Sequence, residues 1–332
     1  MNAMPDPRPI EDLQPYRDAA LDHIDRSLAV AGIEASYAAS LTQLVRGWLA
    51  RSAHQQALLD LPALVCRAAG KDPIQAAPAG AAWWLARLAA KLFDDVEDGE
   101  LDQRLPEAVN LASAALAAAQ ATVLGSQWLG SRLNAAQVGL ELASSCLRAT
   151  QGQHWDLAAA ASSNGMDPDQ WLSMAGGKSG SALAWAAWAG AVAAGSDPAV
   201  AEHFRQYGYW LGVLLQIADD YGDTWNPTSS ADLAFRGTSL ALAYAHLVAE
   251  GDNRAEIESL LAGARAGNVA SATKLRELLT SLGAQAFLVV AAQDCRIRAS
   301  RELEQTGCPT DRCEPLLSLL RQPLSSIQPT GA

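Results

Sequence analysis

The sequence predicts an all-α protein, a large helical bundle built as a single domain. Three observations predict it. Apolar residues make up 50% of the 332 residues, and alanine and leucine dominate them. These residues lose little on entering a helix, whereas the β-branched residues that favour strands are few. Apolar positions recur at helical spacing in one segment after another, and no stretch alternates as a half-buried strand would. Gly, Pro, Asn and Asp gather in short breaks between those segments. The chain is long enough to bury a large core, and no shift in composition marks a second domain.

Pro5, Pro7 and Pro9 make residues 1–12 an irregular arm. Helices are expected near 14–31, 36–51, 55–69, 74–98, 106–123, 126–161, 168–194, 197–225, 236–250, 253–265, 270–281, 283–305 and 311–322, giving a helical domain over 13–325 and a tail over 326–332. Gly70-Lys71-Asp72-Pro73 separates two of them. Ser163-Asn164-Gly165-Met166-Asp167-Pro168 separates two more, with Asp167 as N-cap and Pro168 in the first turn. Gly195-Ser196-Asp197-Pro198 repeats that pattern.

The formal net charge is -12, without a basic patch, which excludes nucleic acid as the expected partner. The five cysteines (Cys66, Cys146, Cys295, Cys308 and Cys313) are odd in number and lack zinc-site spacing. They read as free thiols in a reducing compartment. The N-terminal stretch has no apolar core of signal-peptide length, and polar residues interrupt the alanine-rich stretches too often for a membrane span. A cytoplasmic protein without stable membrane insertion is the expectation.

Two acidic stretches dominate the chemistry. Asp94-Asp95-Val96-Glu97-Asp98 and Asp219-Asp220-Tyr221-Gly222-Asp223 both read D-D-x-x-D, and each closes a long apolar helix. On a helix, residues four apart share a face, so Asp94 pairs with Asp98 and Asp219 with Asp223. Carboxylates so crowded raise one another's pKa unless a cation sits among them, and Mg2+ is the natural one. Trp83, Arg87, Ala90, Asp94 and Asp98 form one stripe of the first helix. Arg87 is either an intrahelical partner for nearby acids or a cation beside the same ligand. Gly208, Gly212, Leu215, Asp219 and Asp223 share a face of the second helix, with Gln216 beside them. The two glycines admit either close helix packing or a ligand.

The paired motifs resemble those of the trans-type isoprenyl (polyprenyl) diphosphate synthases, within the class I terpenoid synthase group. The resemblance runs over roughly residues 55–320. Gly177-Lys178-Ser179-Gly180 is similar to the family's K-T-G segment, Gly152-Gln153-His154-Trp155-Asp156-Leu157 to G-Q-x-x-D-L, and Gln216-Ile217-Ala218-Asp219-Asp220 to Q-x-x-D-D. Asp232-Leu233 with Thr238-Ser239-Leu240 is similar to its D-L…T-L segment. The resemblance implies the isoprenoid synthase fold around a deep central cavity, with the acidic clusters facing each other, and a homodimer. It implies that Asp94, Asp95, Asp98, Asp219, Asp220 and Asp223 hold Mg2+, about three ions with each bound diphosphate. Lys178 would contact the departing diphosphate of an allylic substrate, with Gln153, Ser179, Gln216, Arg87 and Arg104 in supporting roles. Trp83 and Trp185 would either fill the core or stabilise a carbocation. Ala89 and Ala90 imply room for a long prenyl tail.

The departures are equally specific. Where chain-elongating relatives carry G-G-K-R-x-R-P, this chain has Gln56-Ala57-Leu58-Leu59-Asp60-Leu61-Pro62. A family histidine aligns with Arg87. The R-R-G after the first motif is replaced by Gly99-Glu100-Leu101-Asp102-Gln103-Arg104, and two later lysines are lost at Pro227 and Gly237. The allylic half of the chemistry is complete; the site for isopentenyl diphosphate is not. Three readings follow: a Mg2+-dependent prenyltransferase using isopentenyl diphosphate or another acceptor, a class I terpene synthase or cyclase, and a non-catalytic partner subunit.

Overall fold

The computed structural model describes residues 13–52, 55–97, 105–126, 128, 135–160, 166–225 and 238–327, and among these there is no strand. The helices are α1 (Gln14–Val30), α2 (Ala35–Arg51), α3 (Gln56–Leu59), α4 (Leu61–Ala68), α5 (Ala77–Glu97), α6 (Leu105–Leu124), α7 (Ala135–Ala160), α8 (Pro168–Ala175), α9 (Ser181–Ala193), α10 (Pro198–Trp225), α11 (Leu240–Val248), α12 (Asp252–Arg265), α13 (Val269–Ser281), α14 (Ala284–Gln305) and α15 (Thr310–Ser326). Most ends fall within a few residues of expectation. Asp167 closes a reciprocal capping box with Gln170 at the start of α8, as its position before Pro168 predicts.

Three expectations are corrected. Residues 55–69 form two helices, because Pro62 has no N–H to donate to the carbonyl of Leu58. The Trp83 indole fills that vacancy at 2.9 Å, and Trp84 does the same for Leu59 at 2.9 Å. The helix expected over 126–161 begins at Ala135, with Ser126 in a bend. The helix expected over 168–194 is interrupted by a π turn at Gly176–Gly180.

The chain divides into two compact units. The first comprises Met1–Ser144, Trp185–Arg205 and Leu303–Leu317. Its centre is α5, which packs against α1, α2, α3, α4 and α6. From Ala77 to Leu85 every residue of α5 is buried, and Tyr16 of α1 meets Trp84 edge-on at 5.9 Å. The second unit comprises Ser145–Ala184, Gln206–Glu302 and Ser318–Ala332. There α8 packs on α11 and α12 on α13, while the α10 residues Tyr207, Leu211, Leu214, Ile217 and Tyr221 are buried.

All five cysteines are free thiols, and burial pushes Cys66 and Cys295 up to about 12. Among the described residues, Pro106–Leu124 is long and apolar enough to cross a membrane, with a mean hydropathy of 1.2. So are Val269–Ser281 and Ala284–Gln305 if that pair, bent by 64°, counts as one broken span. Alanine-rich core helices meet the same criterion.

Candidate active site

Both acidic motifs lie at helix C-termini, Asp94 and Asp95 in the last turn of α5 and Asp219, Asp220 and Asp223 at the end of α10. For Asp94, Asp95 and Asp223, which stand in the last turns, that is the negative end of the helix dipole, where a cation is favourable. In α5 a cation is present. The Lys91 ammonium pairs with Asp95, one turn on, whose side chain is 17% exposed. Upstream, the Arg87 guanidinium lies 5.7 Å from the centre of the Trp83 ring. Asp98 and Arg104 lie outside the described residues.

The second cluster is divided by burial. Asp219 and Asp223 are exposed on successive turns, whereas Asp220 is buried. Asp220 accepts the Leu240 N–H at 2.8 Å, and the Ser239 hydroxyl and the Ala241 N–H also bond to it. Its carboxylate thus seals the N-terminus of α11 together with the N-cap Ser239. Burial, with the Asp223 charge adding to it, pushes Asp220 up to about 7 despite those bonds. Partial desolvation also raises the Asp223 pKa. Asp219 and Asp223 are therefore the two outward carboxylates of this motif.

Lys178 and Ser179 sit on the π turn. The Lys178 ammonium is 2.8 Å from Asp156, whose other oxygen receives the Thr238 hydroxyl. Ser179 donates to Gln216 at 2.9 Å. The network joins residues from all the resembled segments of the second unit except Asp232-Leu233, which lies outside the described residues. Its framework is backbone contact. A Cβ on Gly152 would stand 2.3 Å from the Lys178 nitrogen, and one on Gly212 would stand 2.6 Å from the Ser179 carbonyl. One on Gly208 would stand 2.3 Å from the Leu183 carbonyl. Close packing thus accounts for Gly208 and Gly212. Gln153 is half-buried on α7, three residues before Asp156.

Trp83 and Trp185 are core residues, 2% and 1% exposed. The Trp83 indole N–H is engaged by Leu58, so its ring is locked in place. The segment from Gln56 to Pro62 carries no cation. Leu59 and Leu61 are buried, and Asp60, 2% exposed, is clamped by Arg17 at 2.6 Å and by Gln56 at 3.1 Å. Burial raises the Asp60 pKa, and the Arg17 guanidinium pulls it back down. Pro227 and Gly237, the two places of lost lysines, lie outside the described residues.

Sequence reasoning left three participants unassigned. Asp156 and Thr238 stood inside quoted motifs without a role. Lys91 was legible only as a lysine four residues before Asp95.

A polyprenyl synthetase family model matches residues 59–279. The chain belongs to the polyprenyl synthetase family. It is thereby a prenyltransferase of the isoprenyl diphosphate synthase type. Solved structures of similar fold include a decaprenyl diphosphate synthase from Rhodobacter capsulatus, 18% identical with a TM-score of 0.78 over 96% of this chain and 98% of that one. A geranylgeranyl pyrophosphate synthetase from Pyrococcus horikoshii Ot3 is 16% identical, with a TM-score of 0.77 over 94% and 98%. A geranylgeranyl pyrophosphate synthase from Corynebacterium glutamicum, complexed with calcium and isoprenyl diphosphate, is 18% identical, with a TM-score of 0.75 over 99% and 100%. No curated protein sequence matches the chain.

The family's use of a divalent metal fits the residues present. No three His, Cys, Asp or Glu side chains among the described residues form a ready metal cage. Mg2+ does not ask for one: it binds through one or two carboxylates and completes its shell with water and phosphate oxygens. Asp94 with Asp95, at the end of α5, and Asp219 with Asp223, near the end of α10, offer carboxylate oxygens of that kind.

Proposed function

We propose that this prenyltransferase binds an allylic prenyl diphosphate with Mg2+, ionises it, and passes the prenyl cation to an acceptor. The observation that supports the reading is the carboxylate set at the end of each of α5 and α10, Asp219 and Asp223 being exposed, with the Lys178–Asp156–Thr238 and Ser179–Gln216 network built beside the second. Asp94, Asp95 and Asp98 would hold Mg2+ in the first motif, and Asp219 and Asp223 in the second. Bound there, the metal would neutralise the diphosphate and ease its departure. Lys178 would trade Asp156 for a diphosphate oxygen, a charge-assisted contact that strengthens as the leaving group gains charge. Ser179, positioned by Gln216, would add a neutral hydrogen bond, and Gln153 and Arg87 would bind the substrate's polar end. Asp220 supports the site through α11. Trp83 and Trp185 keep the surrounding core dry.

The acceptor is the open half. A diphosphate acceptor needs clustered cations, and the buried Asp60–Arg17 pair stands where the resemblance would place them. That observation favours a second reading, a class I terpene synthase in which the cation is captured within its own chain or by water. Cytoplasmic location and homodimerisation complete the proposal. The partly exposed apolar side chains Val109 and Leu124 on α6 and Leu140 on α7 suit a subunit contact.

The test is incubation of the purified protein with Mg2+ and geranyl, farnesyl or geranylgeranyl diphosphate, with and without isopentenyl diphosphate, products being read by mass spectrometry. A longer diphosphate formed only with isopentenyl diphosphate supports chain elongation. A hydrocarbon or alcohol from the allylic substrate alone supports the terpene synthase. If neither Asp94→Asn nor Asp219→Asn alters diphosphate release, both catalytic readings fail, leaving a non-catalytic subunit.

A further inference from the structure

The turn between α14 and α15 brings two thiols together. α15 begins at Thr310, with Pro309 as the residue before it. Cys308 therefore stands at the N′ position of that helix and Cys313 at N4. Those are the two positions whose side chains meet across a helix start to form a hydrophobic staple. Here both are cysteines, and their side chains are hydrogen-bonded to each other. The backbone holds them in place. Gly307 follows α14 in the left-handed region at φ 67°, and the Cys308 N–H donates to the Thr306 hydroxyl at 3.2 Å. Thr306 is buried, and its hydroxyl donates in turn to the Leu303 carbonyl at 2.6 Å. On the other side, the Pro309 carbonyl accepts the Arg312 N–H at 3.0 Å and the Cys313 N–H at 3.1 Å. The turn is thus ordered before any bond joins the sulfurs, and little further freedom is lost when one does.

The other cysteines are placed differently. Cys66 and Cys295 are buried thiols pushed up to about 12, and Cys66 donates to the Asp72 carbonyl at 3.3 Å. Burial raises Cys146 as well. Buried thiols of this kind are inert. In the α14–α15 turn the two thiols differ in access. Cys308 is partly exposed, whereas Cys313 is 4% exposed, and burial, with Cys308 adding to it, pushes Cys313 up to about 11. A reagent in solution therefore meets Cys308 first.

We propose that Cys308 and Cys313 form a reversible disulfide that latches the first turn of α15 to the end of α14. The oxidant is a low-molecular-weight disulfide such as glutathione disulfide. The Cys308 thiolate attacks one of its sulfurs and expels one glutathione thiolate, leaving a mixed disulfide on Cys308. Cys313, giving up its proton, then attacks the Cys308 sulfur and expels the second glutathione thiolate. Two protein thiols are oxidised to one disulfide, one glutathione disulfide is reduced to two thiols, and the two protons end on the glutathione. In a reducing compartment the pair rests as thiols, and it closes when disulfide accumulates. The latch is separate from both aspartate motifs in the chain and does not depend on the reaction proposed above.

The test treats the full-length protein with glutathione disulfide, quenches with N-ethylmaleimide and maps the peptides by mass spectrometry. The expected product is an intramolecular Cys308–Cys313 bond, removed by dithiothreitol, with Cys66, Cys146 and Cys295 recovered as alkylated thiols after unfolding. Hydrogen exchange at the Cys313 and Glu314 amides should slow by roughly tenfold or more in the oxidised protein, because the bond closes a six-residue loop at the helix start. Cys313→Ser should stop at the mixed disulfide on Cys308 and keep the exchange rate of the reduced protein. A stable glutathione adduct on Cys308 of the wild type, free thiols at both positions, or a bond that leaves exchange unchanged overturns the proposal.

Discussion

Gly212 and Gly222 lie on the same helix, and the same mutation should move stability in opposite directions. Replacing an exposed helical glycine by alanine stabilises by about 1 kcal/mol. At Gly222 nothing stands within 4 Å of the new Cβ, so that gain should appear in full. At Gly212 the Cβ would lie 2.6 Å from the Ser179 carbonyl and 2.7 Å from Gly180. Ordinary contact begins at 3.4 Å, so α10 must retreat from the π turn by 3.4 minus 2.6, or 0.8 Å. Both neighbours are backbone and cannot swing aside. Overpacking of this kind costs about 1–3 kcal/mol and more when backbone must move, so it outweighs the helical gain. The same retreat, taken along the Ser179–Gln216 bond of 2.9 Å, would stretch and weaken it. Gly212→Ala should therefore unfold at lower denaturant than wild type and bind Mg2+–pyrophosphate more weakly, while Gly222→Ala should unfold at higher denaturant. Urea titration followed by circular dichroism measures both. Equal stabilisation by the two substitutions would refute the close approach on which the site's geometry rests.

Three further outcomes follow. Asp220 has a folded pKa of about 7, above the ordinary carboxylate value, so its contribution to stability is present at low pH and lost as pH rises toward about 7; melting in EDTA across that range should fall more steeply for wild type than for Asp220→Asn. Arg17→Met leaves Asp60 buried without its cation and should cost about 2–4 kcal/mol, most of it recovered in an Arg17→Met/Asp60→Leu double variant, by urea titration. Lys178→Met should weaken Mg2+–pyrophosphate binding by roughly tenfold or more, and Asp156→Asn by less, because Asp156 only steadies the lysine; equal losses in a binding titration would count against that division of roles.

The helical pattern and the family were legible because both are written in local code. Period, caps and punctuation operate over a few residues, and Asp167 before Pro168 specifies a helix start wherever the chain goes next. The D-D-x-x-D spelling likewise needs only helical spacing to gather carboxylates. The breaks at Pro62 and at the π turn were less legible. Each becomes tolerable through a partner remote in sequence: the Trp83 and Trp84 indoles cap the carbonyls of Leu58 and Leu59, and Gly152 and Gly212 close on the turn holding Lys178.

By itself the sequence determined an all-helical polyprenyl synthetase with two aspartate motifs and one lysine segment. Only the tertiary structure decided what each charged group does. It turned Asp220 inward to close α11 while Asp219 and Asp223 face outward, it clamped Asp60 with Arg17, and it set Asp156 and Thr238 around Lys178. The physical reason is that burial and partner distance, not residue type, set the energy of a charge, and both are fixed only when helices distant in the chain pack together.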